Sequence, residues 1–163
     1  MPNNKEKGQT TPQKYKVLVA VDFSPSSARA LRRAKTIMGR TPDQILVLHV
    51  INTKFIESCI KNEIGTEEQI KKTLFLQAKK NMEKFIKAEE MEKFSVKTLV
   101  CEGTPFLEIN KKAAETEVDM IVMGNRGNSG DMETIFFGST TERVLRFMSR
   151  PVLCVPVEED SKK

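Results

Sequence analysis

With 163 residues, 27 basic against 22 acidic side chains and a net charge of +5, the chain has the size of one compact domain, which buries roughly 70% of its unfolded surface. No apolar run approaches the roughly 18 residues of a membrane span, and residues 1–13 lack the apolar stretch of a secretory signal, so a soluble cytoplasmic protein is expected. Cys59, Cys101 and Cys154 are odd in number and widely spaced, which argues against a disulfide framework or a zinc knuckle, and the alternating Lys and Glu with 6% aromatic residues leave no nucleic-acid footprint.

In chain order, residues 1–13 read as a flexible polar tail, 14–157 as the folded domain and 158–163 as a second flexible tail. Lys16 to Val21 is a Val-rich, nearly continuous apolar run, the pattern of a central parallel strand covered on both faces. Asp22-Phe23-Ser24-Pro25 follows, with Ser24 suited to a helix N-cap and Pro25 to the first helical position, where a missing N–H costs nothing. Ala28, Leu31, Ala34 and Met38 then recur at helical spacing. After the turn residues Thr41-Pro42-Asp43, the run Ile45 to Ile51 predicts a second strand reached by a parallel crossover. Ile56, Ile60 and Ile64, four residues apart, leave Asn52 to Gly65 open between a short helix and a partly ordered lid.

Thr66-Glu67-Glu68-Gln69 matches a capping box, and the stripe Ile70, Leu74, Ala78, Met82 and Phe85 predicts the longest helix, reaching about Met91. Phe94 to Cys101 alternates like a strand nearer the sheet edge, and Gly103-Thr104-Pro105 opens a helix to about Val118. Met120 to Met123 is a fourth buried strand. Ser139-Thr140-Thr141-Glu142 offers a second capping box ahead of Val144, Leu145 and Met148, and the prolines bounding Pro151 to Val157 confine the last strand to a sheet edge or a paired interface. Strands separated by helices predict an α/β fold: one open, doubly wound sheet of five parallel strands with helices on both faces. Such a sheet binds ligands beyond the carboxyl ends of its strands, where the winding reverses. That selects the loops Asp22 to Pro25, Val50 to Thr53, Cys101 to Pro105 and Gly124 to Ser139.

In the last of these, Gly124 and Gly127 let backbone approach a bulky group without a Cβ in the way. Gly138-Ser139 opens the next helix, whose unpaired N–H groups and positive dipole end suit phosphate oxygens. The spacing Gly124-x2-Gly127-x10-Gly138-Ser139 resembles the Gly-x2-Gly-x9-Gly-Ser/Thr of the nucleotide-binding subgroup of the universal stress protein family. Val17-Leu-Val-Ala-Val-Asp-Phe-Ser24, Leu48-His-Val-Ile51 and Arg150-Pro-Val-Leu-Cys-Val-Pro156 are similar to that family's first, second and fifth strands, so the likeness spans about residues 14–157.

The resemblance implies the strand order 3-2-1-4-5, adenine near Asp22 and Val50, ribose near Gly124 and Gly127, and phosphates at Gly138, Ser139 and Thr140. Ala20, Val21, Met123 and Arg126 complete the expected set of ligand-binding residues. It also implies ATP as the cofactor, with Mg²⁺, and a homodimer paired through Val152, Leu153, Cys154 and Val155. Two departures stand out: one extra residue in the spacer, and Asp131 with Glu133, which put negative charge where the family commonly has basic residues. The expected role is that of a nucleotide-dependent stress-response or signalling module, at most a slow ATPase. The alternative is a dimeric interaction module of the same fold that binds no nucleotide.

Other chemistries find less support. His49, the single histidine, sits within a predicted strand and reads as structural. Gly127-Asn128-Ser129-Gly130 departs from the Gly-x-Ser-x-Gly elbow of hydrolases, and the first strand-to-helix turn carries no dinucleotide glycine fingerprint. No lysine follows Gly138-Ser139 as in a P-loop. Asp22 keeps two readings, as an adenosine contact or as a complement to the positive end of the first helix.

Overall fold

The computed structural model describes residues 14–38, 44–126 and 137–156. The chain order is β1 (Lys16–Ala20), α1 (Pro25–Met38), β2 (Gln44–Asn52), α2 (Thr53–Lys61), α3 (Glu67–Ala88), β3 (Ser95–Gly103), α4 (Pro105–Glu115), β4 (Met120–Gly124), α5 (Ser139–Arg146) and β5 (Val152–Val155). The strands form one sheet in the order β3-β2-β1-β4-β5, every neighbouring pair parallel. The expected α/β architecture is therefore the observed one, and the winding reverses between β1 and β4.

Period-two alternation divides the interior into two layers. Val17, Val19 and Val21 of the first strand join Ile45, Val47 and Val122 beneath α1 and α3, whereas Leu18, Ala20, Leu46, Leu48, Ile121 and Met123 pack with Ile109 and Ala113 of α4 and Val144 of α5. Because both faces are covered, β1 and β4 are buried nearly end to end, which is why their sequences read as unbroken apolar runs. β3, at the sheet edge, is half exposed along its length. Among the described residues no helix is long and apolar enough to cross a membrane.

Two helices end earlier than the expected boundaries, for one physical reason. α3 stops at Ala88 and α4 at Glu115, after which Glu90 (φ 53°) and Glu117 (φ 52°) adopt left-handed backbone. The following apolar residue folds back: Met91 N–H donates to Ile86 O (3.2 Å) and Val118 N–H to Ala113 O (3.2 Å), the Schellman pattern. Met91 and Val118 are each 1% exposed. They continue the apolar stripe as the plug beyond the helix rather than as its last turn, and glutamate in place of glycine hides the stop. α2 closes in the same way through Glu63 and Ile64, and it buries Ile56 and Cys59 while Ile60 and Ile64 stay exposed, so the four-residue isoleucine stripe is not its core face.

The capping box expected at Ser139 does not form. Gly138 is the N-cap of α5 and makes no side-chain cap bond, so the helix begins one residue earlier than that box requires. Thr66 and Gln69, by contrast, form both bonds of theirs. The last strand is Val152–Val155; Val157 and both tails lie outside the described residues.

Candidate functional site

The carboxyl ends of β1, β2 and β4 open onto a cleft of about 230 Å³ on the side of the sheet that carries α4 and α5. Ala20, Val21, Asp22, Val50, Met123, Gly124, Arg126, Gly138, Ser139 and Thr140 all line it. Gly127, Asp131 and Glu133 belong to the segment outside the described residues. The lining also includes Ser27, Leu48, Asn52, Pro105, Ile109 and Thr141. Asn52 and Pro105 fall in loops that the winding rule selects, whereas Leu48 and Ile109 look like ordinary core residues in the sequence.

Two helix starts meet at this cleft, and they are treated in opposite ways. At α1, Asp22 Oδ1 accepts from Ser24 N–H (3.1 Å) and from the Ser24 hydroxyl, while Ser24 Oγ accepts from Ser27 N–H (3.2 Å). The Ser27 hydroxyl donates back to Ser24 O (3.0 Å), so the first turn of α1 is sealed by its own residues. Asp22 thus does serve the positive end of α1. At α5 the N-cap is Gly138, and among the described residues no side-chain cap bond forms there. The first intrahelical bond runs from Glu142 N–H to Gly138 O (2.9 Å), which leaves the amides of Ser139, Thr140 and Thr141 as first-turn donors at the cleft.

Long-range ties hold that end in place. Asn125 N–H donates to Val155 O (3.0 Å), Gly138 N–H donates to Asn125 O (2.8 Å), and the buried Thr141 hydroxyl donates to Gly124 O (2.9 Å). The Gly138 amide, expected to face phosphate, is therefore already committed to Asn125. Gly124 also has a purpose that its sequence context does not reveal. A Cβ there would lie 2.1 Å from Ser26 Oγ and 3.0 Å from Ser26 O, so the missing side chain lets β4 approach α1.

Behind Asp22, Phe23 adopts left-handed backbone (φ 64°). Its ring lies 4.4 Å from His49 and meets Phe85 edge-on at 5.7 Å, contacts that offset the backbone strain. His49 Nδ1–H donates to Val21 O (2.8 Å), fixing the end of β1. Burial holds the imidazole below its ordinary pKa, opposed by the Val21 bond and the charge of Asp22. Those contacts are the structural ones read from the sequence.

The universal stress protein family model matches residues 15–156. The chain belongs to the universal stress protein family. Universal stress protein MJ0577 of Methanocaldococcus jannaschii is 32% identical over 152 residues, spanning 86% of this chain and 93% of that protein. The solved structure of MJ0577 superposes with a TM-score of 0.77 at 33% identity, covering 90% of this chain and 98% of the other. A universal stress protein from Archaeoglobus fulgidus, solved in complex with dAMP, shares the fold at a TM-score of 0.59 and 21% identity, with 86% of this chain and 96% of that one covered. Within this family fold, the cleft lies where β1 and β4 part.

Proposed function

We propose that this universal stress protein binds ATP in the cleft and acts as a nucleotide-dependent stress-response or signalling module in the cytoplasm. One observation carries the reading: an apolar pocket leads directly to a helix start that, among the described residues, has no side-chain cap. Ala20, Leu48, Val50, Ile109 and Met123 offer a surface for a purine ring, and the amides of Ser139, Thr140 and Thr141 face the same space. A phosphate there would satisfy donors that water otherwise takes. In the family pattern adenine falls near Asp22 and Val50 and ribose near Gly124 and Gly127, and the dAMP complex of the A. fulgidus protein fits the same ligand class.

Mg²⁺ fits this site only as a companion of the phosphates. No group of three or more His, Cys, Asp or Glu side chains among the described residues could hold a metal, and Mg²⁺ commonly keeps its waters and binds through one or two carboxylates plus phosphate oxygens. Hydrolysis in this reading is slow at most, because no lysine follows Gly138-Ser139 to engage the transferred phosphoryl group. The reading also includes a homodimer through Val152, Leu153, Cys154 and Val155: β5 ends the sheet, all four are half-buried, and pairing would remove an open edge.

Calorimetric titration with ATP, ADP, AMP and cyclic AMP, each with and without Mg²⁺, tests the proposal. ATP heat that disappears in Gly127→Val supports it. Silence in every titration of the wild type would leave the non-binding interaction module instead.

A further inference from the structure

Among the described residues, Asp22 and Arg126 are the charged side chains that line the cleft. Asp22 already accepts two hydrogen bonds from Ser24. Among the described residues Arg126 forms no ion pair, and its Nε is buried with no hydrogen-bond partner. A guanidinium N–H removed from water and left unpaired is costly, and structures retain such groups where a partner arrives. Ser26 Oγ and Arg29 Nη1 are also buried without a partner, but of the three residues Arg126 is the one that lines the cleft.

The backbone fixes where Arg126 begins. Its neighbour Asn125 is held on both sides, by Val155 O (3.0 Å) and by the Gly138 amide (2.8 Å), so the arginine starts beside the N-cap of α5. Arg126, with its orphaned Nε, and Ser139, Thr140 and Thr141 of the first turn of α5 thus line one cleft. Nε–H together with a neighbouring Nη–H forms the planar fork that grips two oxygens of a phosphate, which a lysine cannot reproduce.

We infer that Arg126 is the residue through which this site reads phosphate number, making it selective for di- and triphosphates over the monophosphate and the bare nucleoside. The inference rests on the proposed nucleotide reading and adds a role to it. The α5 amides, being neutral, serve the first phosphate about equally in AMP, ADP and ATP. The guanidinium is the group whose contribution grows with ligand charge.

Calorimetric titrations of wild type, Arg126→Met and Arg126→Lys with adenosine, AMP, ADP and ATP, at low and high NaCl, provide the test. In Arg126→Met, ATP affinity should fall about 10- to 100-fold, the worth of a charged hydrogen bond, while adenosine affinity changes by less than about twofold. Arg126→Lys should regain the salt dependence of ATP binding but only part of the affinity, because charge returns without the fork. An equal loss for all four ligands, or no loss for ATP, overturns the inference while leaving nucleotide binding intact. Wild type that binds no ligand at any salt overturns the nucleotide reading, and this inference with it. Thermal melts of each variant separate misfolding from lost contact: a variant that melts like wild type yet loses ATP selectively supports the assignment.

Discussion

Gly124 lines the cleft, yet its lack of a side chain is explained by α1, and this can be tested by adding one methyl group. In Gly124→Ala the new Cβ would lie 2.1 Å from Ser26 Oγ, 3.0 Å from Ser26 Cβ and 3.0 Å from Ser26 O. The hydroxyl makes the closest of these contacts and, being buried, can turn aside only at a cost. The Cβ and carbonyl cannot, unless α1 shifts against β4 in a layer where Val122 and Ala30 are fully buried. Overpacking of this kind costs about 1–3 kcal/mol, or a fall in Tm of roughly 4–8 °C for a mid-range cost of about 2 kcal/mol in a chain of this size. Ser26→Ala alone should be nearly neutral, because Ser26 Oγ is buried without a partner. The double variant should regain about 1 kcal/mol, a coupling that urea unfolding of all four proteins measures directly. ATP affinity of folded Gly124→Ala should stay near wild type, since the methyl group points at Ser26. Strict additivity in the cycle, or unchanged stability with lost nucleotide binding, would refute the packing argument and return Gly124 to a ligand role.

Other consequences can be checked with the same unfolding assay. Thr141→Val strands the buried Gly124 carbonyl and should cost about 1–3 kcal/mol, with Thr141→Ser restoring most of it. Ser24→Ala removes the cap of α1 and a donor to Asp22, for a loss of about 0.5–2 kcal/mol. His49 has a lowered pKa, so below its ordinary value of 6.5 the unfolded chain takes up a proton that the folded chain resists. Stability should therefore fall as pH drops through 6.5 towards the folded-state pKa, and His49→Leu should flatten that slope in urea titrations at successive pH values.

Position was more legible in this sequence than purpose. Val17 to Val21 and Met120 to Met123 announced central strands because both of their sides are covered, and Pro151 and Pro156 announced the end of the sheet because neither can donate to a ladder. Once β1 and β4 were recognised as central, the loops after them had to hold the site. Gly124 was harder, because glycine tells a reader that space is short without telling what occupies it, and its close neighbour Ser26 is distant in the chain. Glu90 and Glu117 hid two helix ends because the left-handed position after a helix usually announces itself with glycine.

The two helix starts at the cleft carry the deeper lesson, since in sequence they look alike: Ser24 followed by small polar residues, and Ser139 followed by two threonines and a glutamate. At α1 the serine is the N-cap, and Asp22 upstream holds it, so the first turn is satisfied locally. At α5 the backbone tie from Gly138 to Asn125 moves the start one residue earlier and puts glycine at the cap. Thr141 is then drawn to Gly124 O, and Glu142, now one position past the one that a capping box uses, pairs with Arg146 at 2.9 Å instead of reaching back. Glu142, the far half of the expected capping box, is thus diverted by a contact that the shifted helix start supplies. What that diversion leaves at the cleft, among the described residues, is a set of first-turn amides outside the helix's own bonding, beside an arginine whose Nε has no partner. In the proposed reading, an anion bound there would take the place of a side-chain cap.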